Sequence, residues 1–573
     1  GVVLQSIGGG GGYASEVDGS RIDFGTTSTG KTSAGAVEAI SSNWQISTKG
    51  RNSPGLALQS IGGGGGVAYA DRASVRMGSK AIGNTSSGAV SLVSKFNSTI
   101  QTRGLSSPAV IAQSIGGGGG YVGGDGDGVA PVVRLGSVFR QLGSSAAVDI
   151  NLSRGTRLVA RADNAQGLIA QSIGGGGGFT SQSALSMRLG MEGGLGNAGD
   201  VSVENQGTIV TLGDRAAGVI AQSIGAGGGT AGSSFSSLAL GAKDATGDAA
   251  DVMVENRRGR IQTAGNYSVG VVAQSVGGGG GRVGKASGSI TLGTNGGGGD
   301  GGSVTINNAG GLISTGGAYA PAYVMQSIGG GGGVVGLGDS NGNGTVVLGG
   351  GAKGTHGSGG TLTLINAAGS LQTNGRFSPG VIHQSVGGGG GWIGSVASGT
   401  VQLGGLSTDD VTGADLRLTL PFEVMTVGDN SPGVVLQSIG GGGGVVADVG
   451  GNVSIGGQQN ERVDASGGLL NYNQLRRSVT TLGDDSPGVV LQSIGGGGGL
   501  LASVDGSTAV GSDSTTLTDV SAGAITAISA APITTTGISS PGFTIQSLGG
   551  SGALVGSAPT TISAGGDGRG DSR

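Results

Sequence analysis

The sequence predicts an all-β repeat solenoid. Three observations carry that reading: a glycine-terminated motif at near-constant spacing, apolar alternation of period two without helical spacing, and a block whose length never changes. The motif is clearest in "SPGVVLQSIGGGGG" at residues 486–499. Aligned on its glutamine, the chain holds eleven copies, at Gln5, Gln59, Gln113, Gln171, Gln222, Gln274, Gln326, Gln384, Gln437, Gln492 and Gln546. The intervals run from 51 to 58 residues and average about 54.

Each repeat reads as a fixed order of elements. Aliphatic-x-Thr-x-Gly comes first, with threonine eleven residues before the glutamine in nine of the ten copies that reach so far, among them Thr48, Thr211, Thr263 and Thr481. This alternation is a strand. Turn formers such as "GDDSP" at 483–487 follow, and Pro487 can precede the next strand without wasting a ladder hydrogen bond. "VVLQSI" is the second strand, apolar on both faces and therefore covered on both. Segments such as "VSVENQGTI" (201–209) and "VTINNAGGLI" (304–313) add a third. From the first aliphatic to the end of the glycine run the unit is 21 residues without insertion or deletion. Paired backbone explains the constancy, because one added residue would reverse every side chain. All length variation falls in the remaining 30–37 residues, which must hold the loops.

Solenoid coils usually take roughly 18–27 residues, so the expectation is a parallel β-helix with two or three coils per repeat. At about 4.8 Å per coil, such a rod would be on the order of 100–150 Å long. A β-propeller competes, but eleven units exceed the usual number of blades. The expected organisation is a repeat array over 1–553 and a polar C-terminal tail, or the end of a fragment, over 554–573.

Composition narrows the classes. The 573 residues include 137 glycines, 11 prolines, 17 aromatics and no cysteine. Collagen needs strict glycine triplets and more proline. Disorder needs more charge than 11% and fewer aliphatics. A net charge of −4 provides no global basic field for nucleic acid. Disulfides and thiolate metal sites are excluded, and no apolar run reaches the roughly 18 residues of a membrane helix. The chain opens on Gly1, inside the motif and without a recognisable signal peptide, and reads as a piece of something longer.

The candidate residues are structural. The repeated Gln-Ser pairs, represented by Gln59 and Ser60, Gln113 and Ser114, Gln274 and Ser275, Gln437 and Ser438, and Gln492 and Ser493, are expected in a packed layer. Two roles are open to them: amide-to-amide bonding between repeats, or bonding to neighbouring backbone at a bend. The glycines, represented by Gly62, Gly116, Gly174, Gly277, Gly329, Gly387, Gly440 and Gly495, read best as a strip free of side chains on which another backbone packs. A phosphate loop would need a following Gly-Lys-Ser/Thr and a helix, and a flexible linker would not need constant length. No cofactor, metal ion or catalytic constellation is expected. Of the two histidines, His356 and His383, neither has a spacing that nominates a triad. "GDSNG" (338–342), "GGDGDG" (123–128), "GGDGRGD" (565–571) and "RGDS" (569–572) read as chance or polar-tail matches, and Trp44 and Trp392 stand alone.

The pattern "NQGTIVTLGDRAAGVIAQSIGAGGG" (205–229) and its relatives resembles the glycine-rich repeats of bacterial autotransporter-type surface proteins. The resemblance covers nearly the whole chain. It implies a right-handed β-helix passenger region outside a Gram-negative cell, tethered to the outer membrane only through a part not in this sequence. The functional expectation is an extracellular structural or adhesive fibrous protein without catalysis. Its glycine strips would pack inside the rod or against neighbouring chains in fibres or bundles, and a host or cell-surface receptor or glycan is a further possible partner. The alternative is a polysaccharide-binding or polysaccharide-processing β-helix with its site in the variable segments.

Overall fold

Every strand pairs in parallel with its equivalent one full repeat away. The computed structural model describes residues 1–18, 21–25, 30–78, 83–124, 129–137, 142–181, 183–234, 237–241, 243–293, 298–338, 344–349, 357–365, 369–405, 410–420, 422–456, 464–511, 520–557 and 561–564. Among these residues there is no helix. His356 and most or all of "GDSNG", "GGDGDG", "GGDGRGD" and "RGDS" lie outside them.

The first coil supplies the labels: β1 (Val2–Ile7), β2 (Gly11–Asp18), β3 (Arg21–Phe24), β4 (Thr32–Ser33), β5 (Val37–Ser42) and β6 (Gln45–Thr48). Later coils repeat this order, and each sheet is named here for its first-coil strand. The β1, β2 and β3 sheets hold eleven strands each, and the β5 and β6 sheets ten. The fourth position forms two separate three-stranded sheets, in coils one to three and eight to ten.

The all-β parallel solenoid is therefore present, but the coil is larger than expected. Gln5 pairs with Gln59, and Gln59 with Gln113, so one repeat of about 54 residues makes one coil rather than two or three. Ten coil-to-coil steps of about 4.8 Å give a column roughly 50 Å long, about half the shorter length expected. The cause is the number of layers enclosed. One apolar layer lies between the β1 sheet and the β5 and β6 sheets, through residues such as Leu58, Val90 and Ile100. A second lies between the other face of β1 and the β2 sheet, where Ile111 and Ile169 meet Tyr121 and Phe179. A third separates β2 from β3, with Ala68 and Val122 against Val75 and Leu135. Four stacked layers of sheet need about twice the perimeter of a coil wound around one core.

The recurrent threonine fixes the corner before β1. In seven copies its hydroxyl donates to the carbonyl five residues on, as in Thr211 to Ala216 (2.6 Å), Thr373 to Ser378 (2.6 Å) and Thr481 to Ser486 (2.6 Å). At the tip of that corner every described copy has positive φ, seven residues before the glutamine: Asn52, Ser106, Asn164, Arg215, Tyr267, Tyr319, Phe377, Asn430, Asp485 and Ser539. Asn, Asp and Ser suit this conformation, whereas aromatic residues pay for it in strain. In three consecutive coils, stacking offsets that strain. The rings of Tyr267, Tyr319 and Phe377 lie nearly parallel at 4.8 and 5.0 Å, with Arg376 over the last two.

The array also runs past the boundary expected at residue 553. Gly552–Ser557 and Ile562–Ala564 add an eleventh strand to the β2 and β3 sheets, so the eleventh coil includes much of the segment read as a tail.

Candidate functional site: the glutamine and glycine columns

The glutamines form one unbroken amide column. Each Nε2 donates to the Oε1 of the next, from Gln5 to Gln59 (2.7 Å) through Gln274 to Gln326 (2.7 Å) to Gln492 to Gln546 (2.6 Å), ten bonds for eleven side chains. The nine inner glutamines are fully buried between β1 and β2. In four of them Nε2 also reaches a second acceptor. Gln384, Gln437 and Gln492 donate to the carbonyls of Gly391, Gly444 and Gly499, and Gln171 donates to the Thr230 hydroxyl. A primary amide carries equal donor and acceptor capacity, so identical side chains stacked at the strand spacing satisfy each other without another residue type.

The serine does not bond neighbouring backbone at a bend, the second role expected for the pair. It faces β5, and its hydroxyl stitches two coils through backbone groups far away in sequence. Ser60 donates to the Gly35 carbonyl (2.9 Å) and accepts from the Gly88 amide (2.8 Å). Ser275 does the same with Ala250 and Gly302, Ser438 with Ala414 and Gly468, and Ser493 with Gly468 and Gly523. Ser114 donates to Gly88 and accepts from Ala146. The glutamines thus take the first role left open by the sequence, and the serines a long-range one that it did not offer.

The glycine runs are required at several positions for different reasons. At the first, a Cβ on Gly62, Gly116, Gly174, Gly277, Gly329, Gly387 or Gly440 would overlap backbone at or beside the fourth position of the coil, such as Ser86, Gly143 and Ser466. Gly495 meets Ser521 and Val520 in the same way. At the fourth, φ lies near +150°, as in Gly65 (+151°) and Gly443 (+153°), and a Cβ would run into the glycine carbonyl of the next coil. All these glycines are buried in the inner coils. The strip therefore packs inside one chain. It is not a lateral surface for neighbouring chains, because the chain's own short β4 segments and adjacent coils already cover it. The break in the fifth run is Ala226, whose methyl forms a small apolar contact with Ala245.

Two ionisable groups lie buried in the columns without an opposite charge. His383 replaces the aliphatic before Gln384, in register with Met325 and Leu436, and neither ring nitrogen has a hydrogen-bond partner. Burial pushes its imidazole down to about 3, so the ring is neutral. It is an inner-layer residue, not a surface one. Arg282 occupies the β2 position where other coils carry Tyr121, Phe179 or Trp392. Burial, with a smaller effect from Arg215, pushes it down to about 10. Its Nη2 donates to the Tyr267 carbonyl (3.3 Å).

Among the described residues no group of three or more His, Cys, Asp or Glu side chains is placed to hold a metal ion. The positive-φ corner, the β4 contact and the amide column's second acceptors were not read from the sequence. The recurrence of Asn, Asp or Ser seven residues before many of the glutamines was the available signal for the first. Comparison of the chain with protein-family models, with curated proteins and with solved structures returned no match.

Proposed function

We propose that this chain is a stiff structural column of an autotransporter-type passenger, displayed outside a Gram-negative cell and serving surface architecture or adhesion rather than catalysis. The observation that supports it is the glutamine sheet, which passes through ten coil junctions without a slip in register and carries an amide bond at each. A solenoid of this kind is stabilised by contacts between nearest coils, so stiffness is a property of the whole stack. With about 54 residues in each step of about 4.8 Å, the chain goes into thickness rather than reach. Resistance to bending is the expected consequence of that shape.

The absence of cysteine suits a protein that crosses an oxidising space before folding. Immunogold labelling of intact source cells, with antibody raised against the purified chain, tests the location. Labelling of unbroken cells is the expected result; labelling only after lysis contradicts it. Atomic force indentation of the purified chain tests the mechanical half, with elastic recovery expected and irreversible collapse at low load contradicting it.

A further inference from the structure

We infer that the outer face of the β3 sheet in coils two to four is a binding site for a linear acidic polysaccharide. Arg76, Arg134 and Arg188 stand directly opposite one another on adjacent parallel strands. In-register neighbours are about 4.8 Å apart, and like charges so placed weaken a sheet. Folding does not call for this arrangement. The same column continues as Ala239, Thr291, Val347, Gln402, Ser454 and Ala509, all uncharged.

The charges are only partly neutralised from within. Arg188 pairs with Glu192 at one end of the row. At the other end Asp23 lies opposite Arg76 but is engaged by Arg21 at 2.6 Å. Arg76 and Arg134 have no ion pair among the described residues, and the Nε of Arg76 is buried without a hydrogen-bond partner. Beside the row runs a shallow groove whose lining includes Gly25, Gly78, Gly136 and Gly190, with Asp23 and Glu192 among its side chains.

A ligand that repays this arrangement has anionic groups repeating along a line, and planar forked guanidinium groups suit carboxylate or sulfate. Acidic sugar chains meet that description. Nucleic acid fits less well, because the outward side chains of these strands include no aromatic on which bases could stack. This site is independent of the scaffold reading, and either can fail without the other.

The test uses the full 573-residue chain and the triple variant Arg76→Thr, Arg134→Thr, Arg188→Thr, which carries the residue that Thr291 already places in the column. Binding is measured by titration calorimetry with polygalacturonate, a sulfated dextran, neutral dextran and a duplex DNA oligomer. Wild type is expected to bind one or both acidic polysaccharides and not neutral dextran, with the preferred polymer telling carboxylate from sulfate. The triple variant should bind at least about tenfold more weakly, with a thermal midpoint unchanged or raised. Equal binding by the variant, no binding by wild type, or tighter binding of DNA than of either acidic polysaccharide would overturn the assignment.

Discussion

The invariant 21-residue block and the variable 30–37-residue remainder lie in the same coils, yet they face opposite constraints. The block supplies β6, the corner, β1 and the glycine run. Its β1 strand is buried on both faces, with every residue from Leu56 to Ile61 inaccessible. The remainder supplies the part of β2 beyond the glycines, still covered on both faces, and then β3, β4 and β5; in β3 and β5 one face meets the core while the other meets solvent, as the alternating burial of Val90–Lys95 shows. Two covered faces restrict β1, whereas β6 alternates in burial as β5 does and is tied to β1 by the corner between them. Axial stacking adds a second demand on the block, since its glutamines and glycines have their own copies as neighbours above and below.

The difference can be probed by placing one substitution at inner and terminal coils. Gly119→Ala should be the most damaging, because its φ of +140° is strained for alanine and the new methyl would collide with the Gly177 carbonyl. We expect a loss of about 3–5 kcal/mol, read from denaturant melts. Gly550→Ala, two register positions earlier in the last glycine run and with nothing within 4 Å of the added carbon, should change stability by less than about 0.5 kcal/mol. Next comes Gln274→Met, which strands the Gln222 donor and the Gln326 acceptor in a buried layer and should cost about 2–4 kcal/mol. Gln546→Met removes only the acceptor at the end of the column and should cost about 1 kcal/mol.

The third concerns pH. His383 is held down to about 3 in the folded chain by burial, whereas the unfolded chain takes up its proton near the ordinary value of 6.5. Between these values the unfolded state binds more protons, so stability is present above 6.5 and is lost as pH falls towards 3. The loss should reach roughly 2 kcal/mol by pH 5. His383→Leu, the residue its neighbour Leu436 supplies in the same column, should flatten that dependence in melts across pH 4–8. The smallest effect is at the corner. Thr263→Val removes the bond to the Ser268 carbonyl (2.5 Å) and should cost about 1 kcal/mol. Thr102→Val should be neutral or stabilising, because that hydroxyl is buried without a partner.

Much of this was legible in the sequence. Fixed spacing identified the paired block, and the aliphatics flanking Gln492 on both faces identified a strand covered on both sides. That second observation already conflicted with a coil of 18–27 residues, because a coil wound around a single core has no interior sheet. The coil count was misread for want of that step. The partner of the glycine strip was not legible. The segment that touches Gly62 begins more than twenty residues later, in the stretch whose length varies from repeat to repeat. The left-handed corner hid behind its own diversity, since Tyr267, Tyr319 and Phe377 are not turn residues by type and stack on one another in that conformation.

The central claim is that one repeat makes one coil, and the axial rise tests it. The chain has no cysteine, so spin labels can be placed cleanly at Ala239→Cys and Ala509→Cys, both on the outer face of β3 and five register steps apart. Pulsed dipolar spectroscopy should give a backbone separation of roughly 24 Å. A separation of roughly 50–70 Å, as two or three coils per repeat would require, would contradict the account.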